Sequence, residues 1–431
     1  MILLALNELN INYIQKYIFL GKLPNFKILL EKGITETSSE NSYSLLEPWI
    51  QWVTFQTGLS YDEHKVFRLG DIVNRKDLNQ LFEDLESNGL SVGAISPFNA
   101  DNRLKNPKFF IADPWTKTNN SGGFLISKLS KSISKFVNNN SSGNVGLIDV
   151  IWLLLGFLNY VRIKRWYKFF KLIKIRNKPG VKAAILDMIL LEVFVTLHKK
   201  KPTDYSHLFF NGGAHVQHHY MFNSQIYNGE LKNPEWYCPK DWDPLLMILE
   251  TYDRIIGDLL KTGKRIIGVT GLHQIPHDTK TFYWRPNNHL SFLKEFGLKE
   301  EFKVIPRMSR DFLINLNSQS DALKVQKSLM SFKDSVKEKS VFNIDNRGTS
   351  LFVEFIYDDD IIEGMHIKGE NNILINNLET KLSFVAIKNG KHHEKGYVFS
   401  NKDLKLPSKV KLSDLHSYVK KIAIKDFNDQ K

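Results

Sequence analysis

Four short, largely apolar strand-like runs, each ending on a polar cluster, constrain the fold of this chain more than any other feature. Residues 2–6 end at Asn7-Glu8, residues 90–95 at Ser96-Pro97-Phe98-Asn99, residues 205–210 at Asn211-Gly212-Gly213, and residues 265–269 at Thr270-Gly271-Leu272-His273. Runs of this length without polar alternation suit strands buried on both faces. Stretches with helical apolar spacing separate them: 11–20, a second to residue 32 after the turn at 21–25, one starting after Glu47 with Trp49, Trp52 and Phe55, then 183–197, and 244–260 closed by Gly263. Strands alternating with helices predict an α/β fold with a mostly parallel central sheet and helices on both faces. No repeat of solenoid period is present.

The C-terminal third differs. Residues 312–316 and 350–357 are expected as strands flanking a helix over 320–335, with further short strands at 373–375 and 397–400. At ~150 residues per domain, 431 residues allow two or three domains or one large α/β domain with insertions. The expected division is a core from 1–113 and 183–300, an insertion over 114–182, and an α+β continuation or cap over 301–431.

The insertion stands out by charge. The chain has 59 Lys and Arg against 46 Asp and Glu, a net charge of +13. Residues 114–186 hold thirteen of those cations and one acid, Asp149, so +12 of the excess lies in one segment. It runs from a Ser-, Asn-, Gly- and Lys-rich stretch (117–146) through Ile-Trp-Leu-Leu-Leu-Gly-Phe-Leu-Asn-Tyr-Val (151–161) to a mixture of bases and aromatics (162–178). The apolar run is shorter than the ~20 residues that span a bilayer. Basic and aromatic residues together instead suit the surface of an anionic membrane, and a solvated helical insertion with one buried face fits the same pattern. Nucleic acid shares this signature, but no nucleic-acid motif accompanies it. The single cysteine, Cys238, excludes an intramolecular disulfide framework and a cysteine zinc module. The N-terminal residues lack the basic and apolar regions of a signal peptide, so a cytoplasmic location, peripheral on the inner face of the membrane, is the expectation.

In an open α/β sheet ligands gather at the carboxyl ends of the strands. The polar residues there are Asn7, Glu8, Asn211, His215, His218, His219, His273, His277 and Asp278. His215 and His219, four apart, share one face of a helix and are spaced to hold a metal through imidazole nitrogens. Arg307 or Arg310 could grip a phosphate or carboxylate; a structural arginine fits their pattern equally.

The order of motifs resembles the alkaline phosphatase superfamily, especially its type I phosphodiesterase and nucleotide pyrophosphatase branch. Leu4-Ala5-Leu6-Asn7-Glu8-Leu9 is similar to that family's first strand and its metal-binding Asp, with Asn7 at the Asp position. Leu23-Pro24-Asn25 matches its Leu-Pro-Asn turn. Leu46-Glu47-Pro48-Trp49, Thr57-Gly58 and Glu63-His64-Lys65 follow its nucleophile region. Asn211 with His215 fits its Asp and His four apart, Thr270-Gly271-Leu272-His273 falls at its Ser-Asp-His-Gly strand end, and His392-His393-Glu394-Lys395-Gly396 is similar to its late His-x-x-x-Gly.

The resemblance implies an alkaline phosphatase-like fold and a phosphate-containing substrate, cleaved or transferred with the help of divalent metals. The departures reshape that expectation. Asn7, Asn211 and Gly271 stand where the family has carboxylates, and Glu47 lies where its hydroxyl nucleophile belongs. The expected metal set is Asn7, Glu8, Asn211, His215 and His392, for zinc or manganese or for no metal at all. The catalytic set is Glu47, His215 and His273, and the substrate-binding set is His219, Asp278 and Arg310. Three readings stay open. One is an enzyme hydrolysing or transferring a phosphoester, on a lipid-linked or nucleotide-activated glycan precursor at a membrane surface. The second is a metal-free glycosyl or other group transferase with Glu47 as base. The third is a catalytically dead, membrane-associated binding protein.

Overall fold

The computed structural model describes residues 1–138, 146–307, 309–369 and 373–429. The Asn-Ser-Gly run from 139 onward and Met308 lie outside them. The chain forms two compact units, residues 1–276 with 390–431, and residues 277–389. The α+β unit thus begins and ends earlier than the expected 301–431, and the C-terminal segment belongs to the first unit.

The first unit holds β1 (Ile2–Leu6), β2 (Ile34–Ser38), β3 (Val92–Ile95), β4 (Phe109–Ile111), β5 (Tyr205–Phe210) and β6 (Ile266–Val269). The chain leaves it along β7 (His273–Pro286). The second unit contains β8 (Phe302–Pro306), β9 (Asp311–Leu316), β10 (Lys333–Asp334), β11 (Phe342–Arg347), β12 (Ser350–Phe355), β13 (Ile367–Lys368) and β14 (Leu374–Ile375). The chain returns along β15 (Leu382–His393), which pairs with β7, and ends with β16 (Lys395–Ser400), β17 (Lys409–Lys411) and a helix, Leu412–Asn428.

The main sheet has eight strands in the order β17-β2-β16-β6-β1-β5-β3-β4. β1 is parallel to both neighbours, β5 and β6, while β16 runs antiparallel to β6 and β2. The α/β architecture with a mostly parallel sheet is therefore as the alternation of runs predicts. β1 shows why its run is uniformly apolar. Ile2, Leu4 and Leu6 enter one core with the helices Val181–Lys200 and Pro244–Leu260, while Met1, Leu3 and Ala5 enter another with Pro48–Thr57 and Leu412–Asn428. Each face of the strand has its own hydrophobic layer, so no polar alternation is tolerated.

The insertion forms the helices Phe124–Asn138, Leu147–Tyr160 and Trp166–Lys174. Ile126, Leu129, Ile133 and Tyr160 tie it to the core. Gly156 lies against Leu129, where a Cβ would come within 2.6 Å of a methyl group. Arg162 donates to both oxygens of Glu192, at 2.7 and 2.6 Å, and Arg165 pairs with Asp258. Among the described residues no helix is long and apolar enough to cross a membrane.

The second unit, by itself, is a four-stranded antiparallel sheet in the order β11-β12-β9-β8 with a small β10-β13-β14 sheet and the helix Gln319–Met330. Its own core is built on Phe292, Phe296, Phe312, Phe342 and Phe355.

β16 threads a tight place in the main sheet. A Cβ on Gly396 would stand 2.1 Å from the Gly271 carbonyl oxygen and 2.5 Å from Thr37 Oγ1. The carbonyl is backbone and cannot swing away. Gly396→Ala is therefore expected to cost about 1–3 kcal/mol of stability, seen as a lower urea midpoint with an unchanged slope.

Candidate metal centre at the carboxyl edge of the sheet

Parallel strands bring their carboxyl ends to one edge, and there β1 delivers Asn7 and Glu8, β5 delivers Asn211, and β6 delivers Thr270 and Gly271. Because β16 runs the other way, the residues just before it, His392 and His393, arrive at the same edge. The helix Gly212–Tyr220 starts directly after β5 and carries His218.

Glu8 is the pivot. It is 2% exposed and has a left-handed backbone, φ 59°, a conformation that residues other than glycine adopt at a cost of roughly 1 kcal/mol. Its surroundings hold it there. The Glu8 N–H donates to the Thr270 carbonyl at 3.0 Å, and its carbonyl accepts from Gln274 N at 3.1 Å and Gln217 Nε2 at 2.7 Å. In the side chain, Oε1 accepts from Asn7 Nδ2 at 2.9 Å and Oε2 from Gln274 Nε2 at 2.5 Å.

Two imidazoles converge on the same Oε2: His218 Nε2 at 2.9 Å and His392 Nε2 at 3.0 Å, with 3.2 Å between the two nitrogens. Burial opposes ionisation of Glu8, but His392 and His218 outweigh it and hold the carboxyl well below the usual carboxylate range. If both rings offered an Nε2–H to Oε2, two donors would face each other at 3.2 Å. Three lone pairs turned toward a shared cation avoid that conflict. Bonds of ~2.1 Å in a tetrahedral site give ligand-to-ligand edges of about 3.4 Å, slightly longer than the three spacings here. Two imidazoles and a carboxylate are also a donor set that suits zinc. The residues therefore fit a divalent cation, and among the described residues this is the group of acids, histidines and cysteines whose ligand atoms come together closely enough to hold one.

Glu47 stands behind the group. It is the residue before Pro48, at the N-cap of the helix Pro48–Thr57, and its Oε2 lies 3.7 Å from His392 Nδ1. A carboxylate on the far nitrogen of a metal-binding histidine fixes the ring's tautomer and orientation.

The other expected residues take different places. Asn7 is a linker: its Nδ2 donates to Glu8 and to Asn211 Oδ1 at 2.8 Å, and its Oδ1 accepts from Trp52 Nε1 at 2.7 Å. The amide oxygens of Asn7 and Asn211 are thus both engaged as acceptors. His215 and His219 pack on each other, ring centroids 4.7 Å apart, and neither belongs to the Glu8 group. His215 is exposed, while His219 has a buried Nδ1 without a hydrogen-bond partner. His273 Nδ1 donates to the Lys395 carbonyl at 2.7 Å, and burial lowers its pKa to about 4, so the ring is neutral. Asp278 and Arg310 lie in the second unit. There Asp278 is exposed, and the Arg310 guanidinium stacks on Tyr283 at 4.4 Å and pairs with Glu354 at 3.4 Å.

His218 is the member of the candidate group that spacing alone passes over. The side of its helix turned toward Glu8 is marked by Ala214, Gln217 and His218: the Ala214 carbonyl accepts from Gln274, and the Gln217 side chain bonds the Glu8 carbonyl and the Asn10 N–H. His215 and His219 follow one residue later, about 100° around the helix. Gln217, bonded to both Glu8 and Asn10, fixes which side of the helix faces inward.

No protein-family model matches the chain, and neither does any curated protein. Among solved structures, the chain is similar to phosphonoacetate hydrolase from Sinorhizobium meliloti 1021 in complex with phosphonoacetate, at 13% identity over 98% of this chain and 95% of that one, TM-score 0.46. It is also similar to murine ectonucleotide pyrophosphatase/phosphodiesterase 5 (11% identity, 98% and 94% coverage, TM-score 0.45) and to alkaline phosphatase from the Antarctic bacterium TAB5 (11%, 99% and 98%, 0.41). Likeness at these levels transfers no activity, metal or residue role to this chain.

Beneath the site lies a buried acid the motifs do not reveal. Asp187 Oδ2 accepts from Gly212 N at 2.9 Å and from Tyr252 Oη at 2.6 Å. Burial raises its pKa from 3.8 to about 7. The folded state thus holds this proton more tightly than the unfolded state, so the contribution of Asp187 to stability is fully present below pH 4, is lost as the pH rises toward 7, and is level above it. Asp187→Asn keeps an acceptor without the charge. It is expected to match the parent at pH 4 and exceed it above pH 7 by on the order of 4 kcal/mol, measured by urea unfolding at both pH values.

Proposed function

We propose that this protein is a phosphoester-processing enzyme, a diverged relative of the alkaline phosphatase-like enzymes, working through one divalent cation held by Glu8, His218 and His392. The observation that carries the reading is the convergence of His218 Nε2 and His392 Nε2 on Glu8 Oε2, at 2.9 and 3.0 Å. The motif order quoted from the sequence supports the family side of the proposal.

A bound cation would supply positive charge to polarise a phosphoryl oxygen. The chain's own residues do the rest. Glu8 balances charge from below and sets the position of both imidazoles. Its hydrogen bonds to Asn7 and Gln274 keep it from rotating away. Glu47, with a third of its side chain exposed, is placed to accept the proton of an attacking water or hydroxyl while keeping His392 oriented. The helix Pro48–Thr57 starts directly after Glu47, and the positive end of its dipole favours an anionic group such as phosphate. One carboxylate and two neutral imidazoles leave a dication with net positive charge, which complements a phosphate monoanion or dianion.

The test pairs binding with turnover. Purified protein dialysed against zinc is expected to retain one equivalent by elemental analysis and to cleave bis(p-nitrophenyl) phosphate. Glu8→Gln and His392→Ala should lose both the zinc and the cleavage. Glu47→Gln should keep the zinc and lose about 10²–10⁴-fold in kcat. Zinc retained equally by Glu8→Gln would contradict the site, and full turnover in Glu47→Gln would remove Glu47 from the mechanism. Sugar-donor turnover by metal-free protein would favour the transferase reading instead.

A further inference from the structure

The helix Leu147–Tyr160 is turned inside out. Its glycine, Gly156, and its tyrosine, Tyr160, face the protein, while Leu147, Ile148, Ile151, Leu154, Leu155 and Leu158 face solvent. Leu147 is 78% exposed and Leu154 58%. At about 100° per residue, these six side chains fall within about a third of the helix circumference. Ordinary surface helices place charges there. The next helix continues the pattern: Tyr167 and Phe170 are more than half exposed and alternate on the outer arc with Lys171 and Lys174.

Beside that arc is a cleft of about 370 Å³, lined by four cations, Arg165, Lys168, Lys171 and Arg254, against two carboxylates, Glu192 and Asp258. Both carboxylates are already engaged, Glu192 by Arg162 and Asp258 by Arg165. Lys168 makes no ion pair among the described residues, and burial, followed by the charge of Arg165, lowers its pKa, as expected for a cation short of counter-charge. Tyr167 and Lys171 belong both to the exposed arc and to the cleft wall, so the two features are continuous.

We propose that these two helices dock the protein on an anionic phospholipid surface, with the apolar stripe of Leu147–Tyr160 entering the acyl boundary and a lipid phosphate seated in the cleft among Lys168, Lys171 and Arg254. Charge selects this occupant. A second copy would bring the same cationic segment, +12 over residues 114–186, against itself. A duplex nucleic acid answers the cations but offers nothing to the aliphatic stripe. An anionic bilayer matches both at once. The inference stands apart from the metal centre and does not need it.

Flotation with phosphatidylglycerol–phosphatidylcholine vesicles, compared with phosphatidylcholine alone, tests it on the full chain without reference to turnover. The protein is expected to float with the anionic vesicles and about tenfold less with the neutral ones. Leu154→Asp with Leu158→Asp, on exposed positions that leave the fold intact by melting temperature, should abolish flotation. Lys168→Gln with Lys171→Gln should erase the preference for anionic lipid. Absence of flotation by the parent protein would overturn the proposal, as would unchanged flotation in the Asp variant. A parent protein that does not float but forms a dimer dissolved by Leu154→Asp would assign the stripe to self-association instead.

Discussion

A buried carboxylate with two imidazoles on one of its oxygens is the interaction on which the rest of the site depends. Glu8 is almost wholly out of water, and a charge there must be compensated by a cation at contact distance. Every neighbouring element contributes to keeping it in place: β6 through the Thr270 carbonyl, the start of β7 through Gln274, and the helix after β5 through Gln217. Removing any one of these would leave a polar group buried without a partner, and their agreement is what sustains a left-handed backbone at a residue other than glycine.

Asn7 and Glu8 together describe how the site departs from the pattern the motifs resemble. An aspartate at position 7 would face Glu8 Oε1 with a second negative charge. Asn7 instead donates to that oxygen and takes the Trp52 indole on its own. Successive strand residues point to opposite faces, and the left-handed turn at Glu8 breaks that alternation so that its side chain still meets the histidines. With Asn211 also neutral and Gly271 carrying no side chain, Glu8 is the only acid in the ligand group among the described residues. That charge suits one dication and not two.

Much of this was legible in the sequence. The runs 2–6, 205–210 and 265–269 are rich in apolar residues because both faces of a central parallel strand are buried, and that enrichment announces the strands and their polar ends. β2 and β17 carry no such signal. Their Ile-Thr-Glu-Thr-Ser and Lys-Val-Lys segments lie at the sheet margin, where half of each strand meets water. Glu8, His392 and Glu47 were identifiable from motif position. His218 was not, since a helix with histidines at 215, 218 and 219 offers two faces and only packing against Glu8 selects one. The inverted helix Leu147–Tyr160 was visible as an apolar run, but its outward orientation depends on Gly156 meeting Leu129, a contact that composition does not encode.

The central claim is that Glu8, His218 and His392 close around one metal ion. Anomalous diffraction at the zinc edge from crystals grown with zinc tests it most directly. A single strong peak within about 2.1 Å of Glu8 Oε2 and both Nε2 atoms is the predicted result. Crystals grown with zinc that show Glu8 bonded directly to the two imidazoles, with no peak between them, would contradict the account.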